Sequence, residues 1–406
     1  MAAPSPRSLP PAVWALGAVS FLTDAASEMI VPLLPVFLAG LGGGALALGA
    51  VEGVAGAVAS VLKLLAGRWS DRLGRSLPFV LAGYGLSAAV RPLVALAAAP
   101  WHVVAVRATD RIGKGLRGSP RDAILARAVA PEARGAAFGV HRALDHAGAA
   151  VGPLLAVALL ATVTRDVRAV FWAAAVPGAL SVAVILLFVR EPPAPDPGRS
   201  APGRAGGTAS NVERRRRGRL GAFLVAYGCY ALAAVSELFL LLRLGTGGRP
   251  LPLVGYPVAW FSMHVVKTAA AALGGALSDR VGRRAVLSSA WIAMAASYLA
   301  LGVFEAGWGV WAALAIFSVQ AGAVDGVQRA WVADVVPRAR LGSGYGWFHF
   351  VEGFLALAAS LWFGWVWEGY GAPAAFTVAA GLALAAVAAL WLVPGVVPAR
   401  CGSSVR

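Results

Sequence analysis

Apolar runs of about 20 residues recur along the chain, each long enough to cross ~30 Å of hydrocarbon at about 1.5 Å per residue. Twelve are readable, over 12–38, 46–66, 77–98, 101–122, 136–160, 169–189, 220–242, 254–275, 285–304, 308–334, 343–366 and 373–394. No single soluble core absorbs so much apolar surface: the 406 residues are 59% hydrophobic and 13% charged. The pattern predicts an all-α polytopic membrane protein of 12 transmembrane helices, with the lipid bilayer as its first partner. The first span carries Asp24 and Glu28 and outruns a signal-peptide core, so it reads as retained.

The net charge of +16 falls mostly in short segments between spans. Arg68, Arg72 and Arg75 follow the second span, Arg280, Arg283 and Arg284 follow the eighth, and Arg214 to Arg217 precede the seventh. The turns 40–45 and 97–101 carry no Lys or Arg, while Arg165, Arg168, Arg243 and Arg249 dilute the asymmetry. The positive-inside rule explains this charge better than a nucleic acid does, and places both termini in the cytoplasm. Cys229 and Cys401 give no disulfide framework.

GRWSDRLGR at 67–75 returns as GALSDRVGR at 275–283. Downstream, Pro131, Arg134, Gly139 and His141 are echoed by Pro337, Arg340, Gly346 and His349 at nearly the same spacing. A six-plus-six duplication follows: residues 1–190 and 220–406 as six-helix bundles, with 191–219, rich in Pro, Gly and Arg, as a flexible cytoplasmic linker. The two DRxGR segments are expected as loops on one face.

An ionisable group at mid-bilayer costs several kcal/mol, so charge inside a span marks a pathway or a paired network. Asp24 and Glu28 lie in the first span, Arg107, Asp110, Arg111 and Lys114 in the fourth, Glu237 in the seventh, and Asp325 and Arg329 in the tenth. Spans six, nine and twelve carry no charge inside and span three only Arg91, so these face lipid. In the fourth span the ladder continues through Arg117 to Arg121 and Asp122 at spacings of mostly three or four, giving one charged helix face. Two readings stand: an Arg/Asp network stapling helices, or recognition of an anionic or polar group by Arg107, Arg111 or Lys114. The acids Asp24, Glu28, Glu237 and Asp325 are candidates for carrying protons.

His141 and His146 cluster with Asp145 in the fifth span, and His264 sits one turn from Lys267 in the eighth. No spacing supports a metal cage, so neither metal nor cofactor is expected. Glu52, Glu352 and Asp145 read more as helix-packing residues than as couplers. Trp347 and Phe348 read as interfacial. There is no GxxxxGK[ST] phosphate loop and no set of nucleophile, base and oxyanion donors, so the chain reads as neither an ATP-driven pump nor an enzyme.

These features resemble the major facilitator superfamily over essentially the whole length. GRWSDRLGR looks like its first signature, with Gly67, Asp71, Arg72, Gly74 and Arg75 in place, and Asp279, Arg280, Gly282 and Arg283 repeat it. The resemblance implies two pseudo-symmetric bundles working by alternating access. Helices one, four, seven and ten would line the cavity, and Asp71 and Asp279 would hold the cytoplasmic gate closed. Arg107 matches the second signature, whereas Asp110 and Arg111 depart from it. Gly148, Gly152 and Pro153 resemble the start of the signature of proton-driven exporters. SFLTDAASEMIVPLLPVFL, RATDRIGKGLRGSPRDAIL, SELFLLLR, HVVK and RAWVADVVP are similar to a bacterial subgroup of these permeases. The expected function is a monomeric inner-membrane secondary transporter of a small polar, anionic or amphipathic solute, proton-coupled and outward. An uptake symporter and a transporter-like sensor are the alternatives.

Overall fold

The computed structural model describes residues 9–41, 45–191, 208–246, 255–305 and 307–393, which are helical nearly throughout with no strand among them. They form twelve crossings. α1 runs Pro11–Ile30, tightens into a 3-10 turn at Val31–Leu33 and resumes over Leu34–Gly40, the break falling at Pro32 and Pro35. α2 is Ala45–Leu73, and α3 is Leu77–Val90 with a 3-10 end at Arg91–Leu96. α4 is Pro100–Ala128 and α5 Arg134–Thr162, and α6 comprises Val167–Ala173 and Ala175–Phe188. α7 comprises Thr208–Ala233 and Glu237–Thr246, followed by α8 at Gly255–Val281, α9 at Arg283–Val303 and α10 at Trp308–Val335. α11 and α12 divide the run Leu341–Leu392 where Gly371 takes φ 84 just before Pro373.

Seven stretches are long and apolar enough to cross a membrane on composition alone, and the last, Arg338–Leu392, holds both α11 and α12. α4 is not among them because of its charge ladder, which packing rather than hydropathy must accommodate. α7 begins at Thr208, inside the stretch expected as linker, and residues 192–207 lie outside the described residues.

Within the first half α1 packs on α5 and α6, and α2 and α3 on α4. Within the second, α10 packs on α8 and α9, while α9 and α7 pack on the α11–α12 run. The halves meet where α5 packs on α8 and α10, and where α11 packs on α2 and α4. Large exposed apolar side chains mark the lipid side: Leu180, Leu187 and Phe188 on α6, Ile292 and Val303 on α9, Trp391 and Leu392 on α12.

Both signature segments are tighter than loops. Asp71 and Arg72 close the last turn of α2, and Asp279 and Arg280 that of α8. Gly74 and Gly282 then reverse the chain at φ 65 and φ 96, a left-handed geometry in which a side chain is strained. Arg72, Arg75 and Arg280 are exposed beside these turns.

Candidate functional site

Each signature acid caps a helix of the opposite half. Asp71 accepts hydrogen bonds from the backbone N–H groups of Gly342 (3.0 Å) and Ser343 (2.6 Å), the first turn of α11. Asp279 accepts from the N–H groups of Gly135 (2.9 Å) and Ala136 (2.7 Å), the first turn of α5. A carboxylate at a helix N-terminus satisfies orphan amides and meets the positive end of the dipole. The duplicated sequence is thereby a duplicated latch. Arg127 braces Asp71 at 3.4 Å, while Arg283 bonds Asp279 and reaches Asp334 at 3.2 Å.

Bare backbone lets these ends approach. A methyl on Gly67 would overlap the Gly342 carbonyl, and one on Gly135 would overlap the Gly275 carbonyl. Gly139 meets Ala271, and Gly346 meets Leu64. These contacts run from the DRxGR end to about mid-helix, ending near Ser60 and Gly353 on one seam and at His146 and His264, rings 5.7 Å apart, on the other.

Just above the latches lies a buried ionic network joining the halves. Asp122 of α4 takes Arg121 at 2.9 Å, His349 Nε2 at 2.9 Å and Arg329 at 3.4 Å. Arg329 of α10 also holds Asp325 at 2.5 Å and Glu352 at 3.7 Å, while His349 Nδ1 meets Glu352 at 2.9 Å. From α5, Arg142 reaches Asp325 at 3.5 Å and Asp145 at 2.7 Å, and Arg134 holds Asp334 at 2.9 Å. Asp145 accepts from Ser20 Oγ at 2.5 Å, and Asp24 lies in its field.

At the level where the seams end, a cavity of about 510 Å³ opens among α5, α7, α8, α10 and α11. Of the sequence candidates, Glu237, His264, Lys267 and Asp325 line it, joined by His146, Tyr227, Tyr230, Trp260, Gln320, Gln328 and Glu352. Lys267 is buried and bonds Glu237 across one turn each of α8 and α7.

The fourth-helix ladder stands apart from this cavity. Asp110, 2% exposed, is held by Arg91 at 2.8 Å and Arg107 at 3.7 Å, and Arg91 also donates to the Thr23 carbonyl. Arg91 is thus buried, not lipid-facing as its lone charge suggested. Arg117 lies over the Tyr84 ring at 4.3 Å and donates to Ser87 Oγ. Lys114 is exposed, in the field of Asp24, and Glu28 lies in the field of Lys114 and Arg107. Arg111 is half-buried in the field of Asp110. His141 is fully buried with neither ring nitrogen hydrogen-bonded among the described residues, and packs as core.

Sequence reasoning read Arg91 as lipid-facing and Glu352 as a packing residue and passed over Arg142, though all three lie in the network or beside it. The spacing of Arg142 and Asp145, three apart on one helix, was the available signal for Arg142. Phe348, read as interfacial, is buried against Tyr227 at 4.6 Å. The side chain of Glu52 lies outside what the structure describes.

Two helical halves latched reciprocally at one end, above which a polar cavity sits at mid-depth, define a multi-pass membrane protein of the transporter class. The chain belongs to the Major Facilitator Superfamily, whose family model matches residues 16–267. It is 30% identical over 367 residues to an uncharacterised MFS-type transporter of Methanocaldococcus jannaschii, covering 89% of this chain and 90% of that one. Over 148 residues, 36% of each chain, it is 31% identical to the multidrug resistance protein MdtH of Edwardsiella ictaluri. Its fold matches the crystal structure of the human organic anion transporter MFSD10 (TETRAN) with a TM-score of 0.78 at 19% identity, over 95% of this chain and 100% of that one.

Proposed function

We propose that this protein is a proton-coupled secondary transporter that carries a small polar or amphipathic solute out across the cytoplasmic membrane by alternating access. One observation carries this: the seams close the DRxGR half of the molecule and stop at the cavity, the geometry of a carrier sealed on one side. The arginine asymmetry makes the sealed side cytoplasmic. The state described is then the outward-facing one, with residues 1–190 and 220–406 as the two moving bundles. The solute site is the cavity at Glu237, Lys267 and Asp325.

Protons enter through the acid groups. Asp24 lies in the field of Asp145, and two carboxyls placed so repel unless one of them holds a proton. Asp145 touches Arg142, which reaches Asp325 in the other half, so loss of that proton alters the charge balance across the interface. The local likeness to MdtH favours export.

Untargeted comparison of metabolites between cells lacking and overproducing the protein supplies the solute. Its flux in proteoliposomes is then followed during a pH jump. Flux driven by the proton gradient and lost on neutralising Asp24 or Asp325 is the expected result. Flux indifferent to the gradient, with Asp24, Glu28, Glu237 and Asp325 each neutralised harmlessly, overturns the coupling.

A further inference from the structure

We propose that the cavity among α5, α7, α8, α10 and α11 selects an uncharged, hydrogen-bond-rich solute with a planar or aromatic body, and rejects organic anions. The inference rests on reading this cavity as the solute site.

The formal charges on the wall are already matched. Lys267 is 1% exposed and bonded to Glu237. Asp325 is held by Arg329 and Arg142, and Glu352 by His349 and Arg329. An incoming carboxylate would have to displace Glu237 from Lys267 while facing Asp325 and Glu352 on the same wall. An incoming cation would have to displace an arginine. Either exchange strands a buried charge, which is far more costly than losing a neutral hydrogen bond.

The open hydrogen-bonding capacity of the same wall is uncharged. Gln320 and Gln328 are each 2% exposed, and His264 is 8% exposed. Among the described residues Gln320 Oε1, Gln328 Nε2 and both ring nitrogens of His264 have no hydrogen-bond partner. Buried polar atoms are almost always paired, so three such side chains around one cavity mark what is meant to fill it. A glutamine oxygen accepts, a glutamine nitrogen donates, and a neutral imidazole does one of each. The complement is a solute presenting donors and acceptors together. Tyr227, Tyr230 and Trp260 line the same space and offer ring faces. A cavity of about 510 Å³ lies within the range that takes drug-sized molecules.

Thermal protection of the purified full chain in nanodiscs tests this with size-matched aromatic probes: the uncharged nucleosides inosine and thymidine, the carboxylates hippurate and indole-acetate, and benzyltrimethylammonium. Protection by the nucleosides is expected, with affinity falling about tenfold in Gln320→Leu and in Gln328→Leu, since each removes one buried hydrogen bond. Both variants are near-isosteric and relieve an unpartnered amide, and unfolding midpoints without probe establish that they fold. Protection by the carboxylates or the cation alone, by no nucleoside, or by nucleosides equally in both variants overturns the inference. Nucleoside binding without flux would instead sink the transporter reading, and hippurate flux would leave that reading standing while sinking this one.

Discussion

Arg91 and Asp110 hold each other at 2.8 Å in a site where both are at most 5% exposed. A buried pair loses far more when one member goes than when both do. Arg91→Met should therefore destabilise the first half by about 3–5 kcal/mol, and Arg91→Met with Asp110→Leu should recover most of it. Unfolding midpoints of the purified protein check this. Recovery of stability without recovery of flux would give the pair a transport role beyond stapling. At Asp71 the charge alone is at stake. Asp71→Asn keeps an acceptor at α11 and loses the ion–dipole term of about 0.3–2 kcal/mol, a population shift of roughly two- to thirtyfold towards the state open at the DRxGR end. Spin labels on the exposed Arg72 and Arg338, one in each half, should report the added separation. The sequence displayed every one of these charges but not its partner. A lone arginine in an apolar run looks lipid-facing until a neighbouring helix brings Asp110 to it, and pairing across helices leaves no periodic trace.

At the scale of the helix, the recurrence of apolar runs placed the twelve helices, although hydropathy alone marks only seven stretches as spans and misses α2, α4, α7 and α8. The ends were not legible. α2 and α8 extend past their apolar stretches to Leu73 and Val281, so the signature residues ride on rigid last turns. Periodic burial ends at the headgroups, whereas backbone hydrogen bonding continues into polar sequence. The seam between α5 and α8 yields a prediction of its own. Gly135→Ala places a methyl against the Gly275 carbonyl, with Ser278 and Arg283 on the other sides, and backbone has no room to give. Cysteine labelling from the DRxGR side should rise several-fold in this variant. Gly178→Ala, whose added Cβ meets only ordinary contacts at 3.5 Å, should leave labelling unchanged.

For the molecule as a whole, the duplication was plain in the sequence, and its meaning came from the fold: each repeat grips the other half. The grip predicts that the covalent connection is dispensable. A protease site inserted between residues 192 and 207 and cleaved after purification should leave 1–190 and 220–406 eluting together, held by the Asp71 and Asp279 caps and the network at Arg329. Separation on cleavage would show that the connection itself holds the halves together. The cavity was the least legible feature, since the densest charge pointed to α4 while the cavity opens mainly among helices of the second half.

Backbone against backbone at Gly67 and Gly342, and at Gly135 and Gly275, also sets how tight the closed end is. Side chains hop between rotamers and admit water in passing, but two peptide groups in contact have no such freedom. A carrier driven by an ion gradient is only as efficient as its shut side is dry. Under the proposed proton coupling, the same glycines that permit closure also guard against slip, and substituting them should dissipate the proton gradient of otherwise idle vesicles before it abolishes transport.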